Sequence, residues 1–271
     1  MERIRRIETW ARLGYAARGL VYVLLGWIAL SSGKALSTGE AVQAVDDLPG
    51  GAPLLLAVAI GLLGYGLYKI YSAILDLDNK GDDAKGWVMR GARTLGGLGY
   101  WFLAFVAARQ LIKGKDGAAE AGQASGSGGA QQDAASQAAE AAGGDLLLVV
   151  VGLAVLAVAA AQFVIAYKAK FMGEMPGAPR QVKPAGQIGY AARAIIVAIV
   201  GYFFVQAGLD GERVRSSGDA LALVRDDHLM LFKLIASGLI LFGLVSFVMA
   251  RYRRIADDDV VARLKANVPT G

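Results

Sequence analysis

Six apolar runs divide the chain, at 13–31, 52–75, 88–112, 146–167, 188–209 and 229–252. Each is close to the roughly 20 residues that a helix needs to cross a hydrocarbon core of about 30 Å. A soluble domain of this length would show amphipathic periods instead. An even number of spans leaves both termini on one side. The first run does not read as a cleaved leader, because its polar end lacks a small-residue cleavage site and the same pattern recurs internally; it is expected to stay in the mature protein.

The chain carries 28 Lys and Arg against 23 Asp and Glu. In a membrane protein their distribution matters more than the sum, because cytoplasmic segments retain positive charge during insertion. Threaded through six spans, twenty of the 28 fall on one side, among them Arg3, Arg5, Arg12, Lys80, Lys85, Lys168, Arg180 and Arg253. The other eight, including Lys34, Lys113, Arg213, Arg225 and Lys233, fall opposite. Both termini are therefore expected in the cytoplasm. The basic residues flank apolar spans and form no stripe with interleaved aromatics, so nucleic acid is not an expected partner. With no cysteine, disulfides, thiolate metal sites and cysteine nucleophiles are excluded.

Gly14-Tyr15-Ala16-Ala17-Arg18 returns unchanged as Gly189-Tyr190-Ala191-Ala192-Arg193, each time opening an apolar run. The match extends onward. Arg18 precedes Gly26 as Arg193 precedes Gly201, and Gly61, Gly66 and Ala73 keep the spacing of Gly238, Gly243 and Ala250. The connecting loops share Gly39-Glu40-Ala41 and Gly218-Asp219-Ala220. Each unit reads as a helical hairpin. The middle pair of spans fits less well, with Arg93 in the place of the repeated arginine and Ala154, Ala159 and Ala166 in place of the small residues. This gives an all-α, integral membrane protein with three parallel hairpin repeats, at 1–82, 83–178 and 179–271, expected to form a pseudo-threefold bundle.

Within the second unit, the long extracytoplasmic loop 113–145 reads as a linker with a glycine break at 126–129 and a helix-permissive stretch at 130–142. The segment 172–183, with Pro176, Pro179 and then Pro184, reads as a short cytoplasmic spacer that stops one helix and starts the next. Beyond Arg254 the chain turns polar at Asp257, Asp258 and Asp259, then offers Val260, Val261 and Leu264 as a short amphipathic tail.

The Gly-Tyr-Ala-Ala-Arg opening, the paired spans, the run Gly61-Leu62-Leu63-Gly64-Tyr65-Gly66 and the tandem copies resemble the bacterial membrane proteins classed as domain of unknown function 1206. The resemblance implies a six-span inner-membrane protein and brings no established reaction.

Three readings are open for Arg18, Arg93 and Arg193. Each can snorkel to the phosphate layer, with Tyr15 and Tyr190 as interfacial anchors in an aromatic belt. The three can instead converge as a ring of guanidiniums that binds an anionic lipid head group or small anion. Or each can pair with a carboxylate such as Asp76, Asp78 or Asp257 and lock adjacent hairpins together. Gly26, Gly61, Gly66, Gly201, Gly238 and Gly243 are expected to let helices approach closely. Gln162 is the deepest polar side chain, a candidate for interhelical hydrogen bonding, with Gln110 and Gln206 nearer the outer face. Lys69 and Lys233 lie near span ends and can snorkel. His228, the only histidine, stands beside Asp226 and Asp227 and reads as part of a solvated helix cap.

No phosphate loop, nucleophile elbow or midplane acidic pair is present. The expected function is non-enzymatic, with no cofactor or metal, acting by contact with membrane lipids, by self-association or by association with a membrane protein complex. The alternative is a small solute or anion transporter or channel along the axis between the repeats.

Overall fold

The computed structural model describes residues 2–36, 38–47, 50–76, 81, 83–123, 144–210 and 217–252. Among these, six helices are long and apolar enough to cross a membrane: α1 (Glu2–Ser32), α3 (Gly51–Ile74), α4 (Ala84–Gln123), α5 (Gly144–Tyr167), α6 (Val182–Asp210) and α8 (Leu229–Tyr252). Two short helices, α2 (Thr38–Gln43) and α7 (Ser217–Asp227), connect spans at the face opposite the chain termini. The glycine break at 126–129, the stretch 130–142 and the tail from Asp257 lie outside the described residues.

Local chemistry sets the ends. Gly33 leaves α1 with a φ of +65°, its N–H bonding the Ala29 carbonyl 3.1 Å away, and Gly50 enters α3 at +73°. These conformations suit a residue without Cβ. Pro53 and Pro184 occupy the first turns of α3 and α6, where the missing N–H costs nothing. α4 continues eleven residues past the expected span end at Ile112, so the helix takes the first part of what the composition reads as linker.

Packing runs in the order α5, α6, α8, α1, α3, α4. A ring of three hairpins would show the same order and then close between α4 and α5, but among the described residues these two share no extended interface. The middle unit is therefore split. α4 packs on α3 of the first hairpin and α5 on α6 of the third. The reason is visible on α5: Leu148, Gly152, Ala159, Gln162 and Ala166 bury one stripe at helical spacing, and that stripe faces α6. The rest of α5 is largely exposed.

Two cores fill the bundle at different depths. In the half nearer α2 and α7, Val21, Leu25, Leu62, Leu103, Ile235 and Leu239 interlock with one another. Ala41, Val42 and Leu221 of the two short helices cap them. In the half nearer the termini, Tyr15, Tyr65, Tyr68, Tyr190, Phe171 and Phe242 form an aromatic cluster. The charged groups of the spans gather among these rings.

Candidate functional site

The hairpins of the first and third units pack identically. A Cβ on Gly61 would lie 2.6 Å from the Cβ of Ala17, and one on Gly238 2.4 Å from that of Ala192. Gly14 meets the backbone of Tyr65 as Gly189 meets that of Phe242, in both cases with 2.7 Å to the facing Cα. A second register repeats between units. On α8 and α1, a Cβ on Gly243 would sit 2.6 Å from the Gly19 carbonyl oxygen, next to Val23. On α3 and α4, one on Gly66 would sit 2.7 Å from the Gly97 carbonyl oxygen, next to Trp101. Gly201 meets Leu156 across α6 and α5 as Gly26 meets Ile240 across α1 and α8.

These contacts define equivalent positions without reference to the side chains that follow. Counting from them, Arg18 on α1, Gly96 on α4 and Arg193 on α6 share one position, and Ser246 on α8, Lys69 on α3 and Gln162 on α5 share the facing one. Every one of the three interfaces holds one cation there. At two of them an arginine faces a neutral polar side chain. At the third the roles are exchanged: the odd-numbered span has lost its side chain, and a Cβ on Gly96 would lie 3.2 Å from Nζ of Lys69.

Arg18 is 7% exposed. Its Nε and Nη2 donate to the Ser246 hydroxyl at 3.2 and 3.0 Å, and Nη1 donates to the Tyr65 hydroxyl at 3.0 Å. Ser246 can accept because its own proton goes to the Phe242 carbonyl, 2.8 Å away. The guanidinium also lies over the rings of Tyr15 at 4.7 Å and Phe242 at 4.8 Å. Arg193, half-buried, donates through Nε to the Tyr22 hydroxyl at 3.0 Å and through Nη1 to Oε1 of Gln162. It shares the Phe242 ring at 5.5 Å. Nζ of Lys69 stands 5.6 Å from the centres of both Tyr65 and Tyr100. Arg18 and Lys69 share the Tyr65 ring, and Arg18 and Arg193 share the Phe242 ring, which links the three positions.

None of these three cations is ion-paired among the described residues; hydroxyls, an amide, the Met249 thioether and π-faces are what they meet. Neutral hydrogen-bond partners and aromatic faces each return a few kcal/mol at most for a desolvated cation. Removing a charge from water costs at least as much, so the cluster keeps a strong positive potential in a low-dielectric setting.

Several sequence expectations change. Arg18 and Lys69 do not snorkel outward but point into the cluster, because the glycine contacts rotate their helix faces inward. Tyr15 and Tyr190, 3% and 9% exposed, are not a lipid-facing belt; they are walls of the same cluster. Arg93 lies one turn before Gly96, toward the termini, and approaches the Tyr68 ring at 6.0 Å, so it flanks the repeated position and does not occupy it. Among the proposed carboxylate partners, Asp76 accepts from the Gly81 N–H at 2.9 Å, while Asp78 and Asp257 lie outside the described residues.

The segment between α5 and α6 is more than a spacer. After Ala169, held at a φ of +49°, residues Lys170–Glu174 form a 3-10 turn that sends Phe171 and Met175, each 1% exposed, into the aromatic cluster. Phe171 stacks on Tyr190 at 5.0 Å and 11°. It seats against Gly186, where a Cβ would come within 2.3 Å of the ring. Oε2 of Glu174 accepts from the Tyr15 hydroxyl at 3.3 Å. Near the opposite face, Gln110 donates to Asp46 at 3.2 Å, and exposed His228 follows α7, its N–H bonding the Val224 carbonyl at 2.9 Å.

The uncharacterized protein YxxB of Bacillus subtilis (strain 168) is 29% identical to this chain over 263 residues, spanning 92% of each. No solved structure matches the chain. A family model described as Domain of Unknown Function (DUF1206) matches residues 13–76 and 188–253, which are the first and third hairpins with their shared packing and their Arg18 and Arg193. The two hairpins that share this packing are thus the part of the chain that is similar to the DUF1206 family.

Proposed function

We propose that the protein is a non-enzymatic receptor of the bacterial inner membrane that holds a phosphate-bearing lipid head group in its cationic cluster. The observation that carries this is one cation at each of three equivalent interfaces, none paired with a carboxylate among the described residues. Guanidiniums and an ammonium that converge in low dielectric favour a multiply acceptor anion over any neutral ligand. The Lys and Arg bias supports a cytoplasmic side for the termini, and with them the cluster. The seam between α4 and α5 supports a lipid over a soluble anion, because acyl chains can lie between the two helices while the head group reaches Lys69 and Arg193. The apolar filling beyond the cluster, with Leu25, Leu62 and Leu239, favours holding a ligand over passing it along the axis.

The test is retention of lipid by the full chain in nanodiscs of phosphatidylcholine doped with phosphatidylglycerol, read by native mass spectrometry. Arg193→Gln and Lys69→Gln should each reduce retained phosphatidylglycerol several-fold, while inorganic phosphate alone should neither bind nor compete strongly. Equal retention by wild type and both variants would refute the reading. Tight binding of inorganic phosphate would replace the lipid by a soluble anion, and anion flux through sealed vesicles would favour the transport alternative.

A further inference from the structure

The described carboxylate held at the cationic cluster does not come from a span. Glu174 belongs to the turn that connects α5 to α6, and that turn is built into the bundle by Phe171 in its slot on Gly186 and by buried Met175. The carboxylate takes the Tyr15 hydroxyl, whose ring carries the Arg18 guanidinium 4.7 Å from its centre. One carboxylate thus lies within reach of a site that otherwise presents only cations and neutral groups. It stands on the side from which a head group at the cytoplasmic surface would approach.

Resting on the lipid reading above, we propose that the turn 168–175 is a regulatory strap: Glu174 is a tethered stand-in for the lipid phosphate, and the ligand binds by displacing it. Two physical features suit the turn to this. Its buried anchors, Phe171 and Met175, belong to the turn itself, so it can leave without unwinding a span. Its charge lowers the free energy of the unliganded cluster, which weakens apparent ligand affinity by the fraction of molecules with the strap in place. An internal competitor of this kind sets a threshold. Only a membrane rich enough in anionic lipid would shift the strap outward.

The experiment titrates phosphatidylglycerol in phosphatidylcholine nanodiscs holding the full-length protein, with native mass spectrometry as readout. Glu174→Gln keeps the acceptor for Tyr15 and removes the charge. It should raise apparent affinity by roughly three- to tenfold. Phe171→Ala, which loosens the anchor and leaves every charge in place, should move affinity in the same direction and serves if Glu174→Gln folds poorly. Arg193→Gln reports on the underlying site. If it loses lipid while both strap variants match or fall below wild type, the strap is wrong and the receptor reading stands. If no variant prefers phosphatidylglycerol to phosphatidylcholine, both are wrong.

Discussion

At the scale of single residues, the cluster separates what a side chain does for folding from what it does for a ligand. Arg193 gains hydrogen bonds from Tyr22 and Gln162 and a share of the Phe242 face, yet it gives up hydration without an ionic partner. These opposing contributions are of similar size, so Arg193→Met should change stability by no more than about 1 kcal/mol in phosphatidylcholine. The same substitution should abolish selective retention of phosphatidylglycerol. Thermal unfolding in nanodiscs measures the first and mass spectrometry the second. A large loss of stability without anionic lipid present would make Arg193 structural glue. Arg18 and Arg193 were legible in the sequence because a duplicated pentapeptide carries both. Lys69 was partly legible: it follows Gly66 by the three positions that separate Ser246 from Gly243 and Gln162 from Ala159. What hid it is that its role is exchanged with the facing helix, so a search for a repeated arginine settles on Arg93, one turn away.

Among elements, the spans and the two matching hairpins were legible because bilayer thickness fixes helix length and duplication fixes their partners. The split of the middle unit was not. Packing of membrane helices follows small residues and close backbone approach, and those of α4 point to α3 while those of α5 point to α6. The inserted turn at 170–174 was also missed, since the nearby prolines advertise a loop and say nothing of where Phe171 goes. Gly243→Val places methyl groups against the Gly19 backbone, which cannot move aside, and should cost at least about 1–3 kcal/mol with a matching fall in folded yield. Gly99→Ala, on a stretch of α4 with nothing within 4 Å, should be silent. More tellingly, Lys69→Ser should lose lipid retention, and adding Gly96→Arg should restore it, because the pair then reproduces Arg18 facing Ser246. Failure of the double variant to recover, with its fold intact, would mean that the two interfaces are not equivalent.

For the whole molecule, the strongest asymmetry lies along the membrane normal: an apolar, capped half beneath α2 and α7, and a cationic half beside the termini. Which half faces the cytoplasm decides which lipids the cluster can meet. What supports inward termini is the charge bias, twenty of 28 Lys and Arg on their side, and it is open to direct test. Because the chain has no cysteine, a single introduced thiol reports its side without background. Lys34 and His228 are exposed at the capped face, and exposed Gly173 lies in the turn beside the cluster with nothing within 4 Å of its side-chain direction. In intact spheroplasts a membrane-impermeant maleimide should label Lys34→Cys and His228→Cys at once, and Gly173→Cys only after the membrane is opened. The reverse pattern would put the cationic cluster under the outer leaflet and remove the charge argument for a cytoplasmic lipid. Labelling of all three in intact cells would contradict six spans altogether, since Lys34 and Gly173 are separated by three of them.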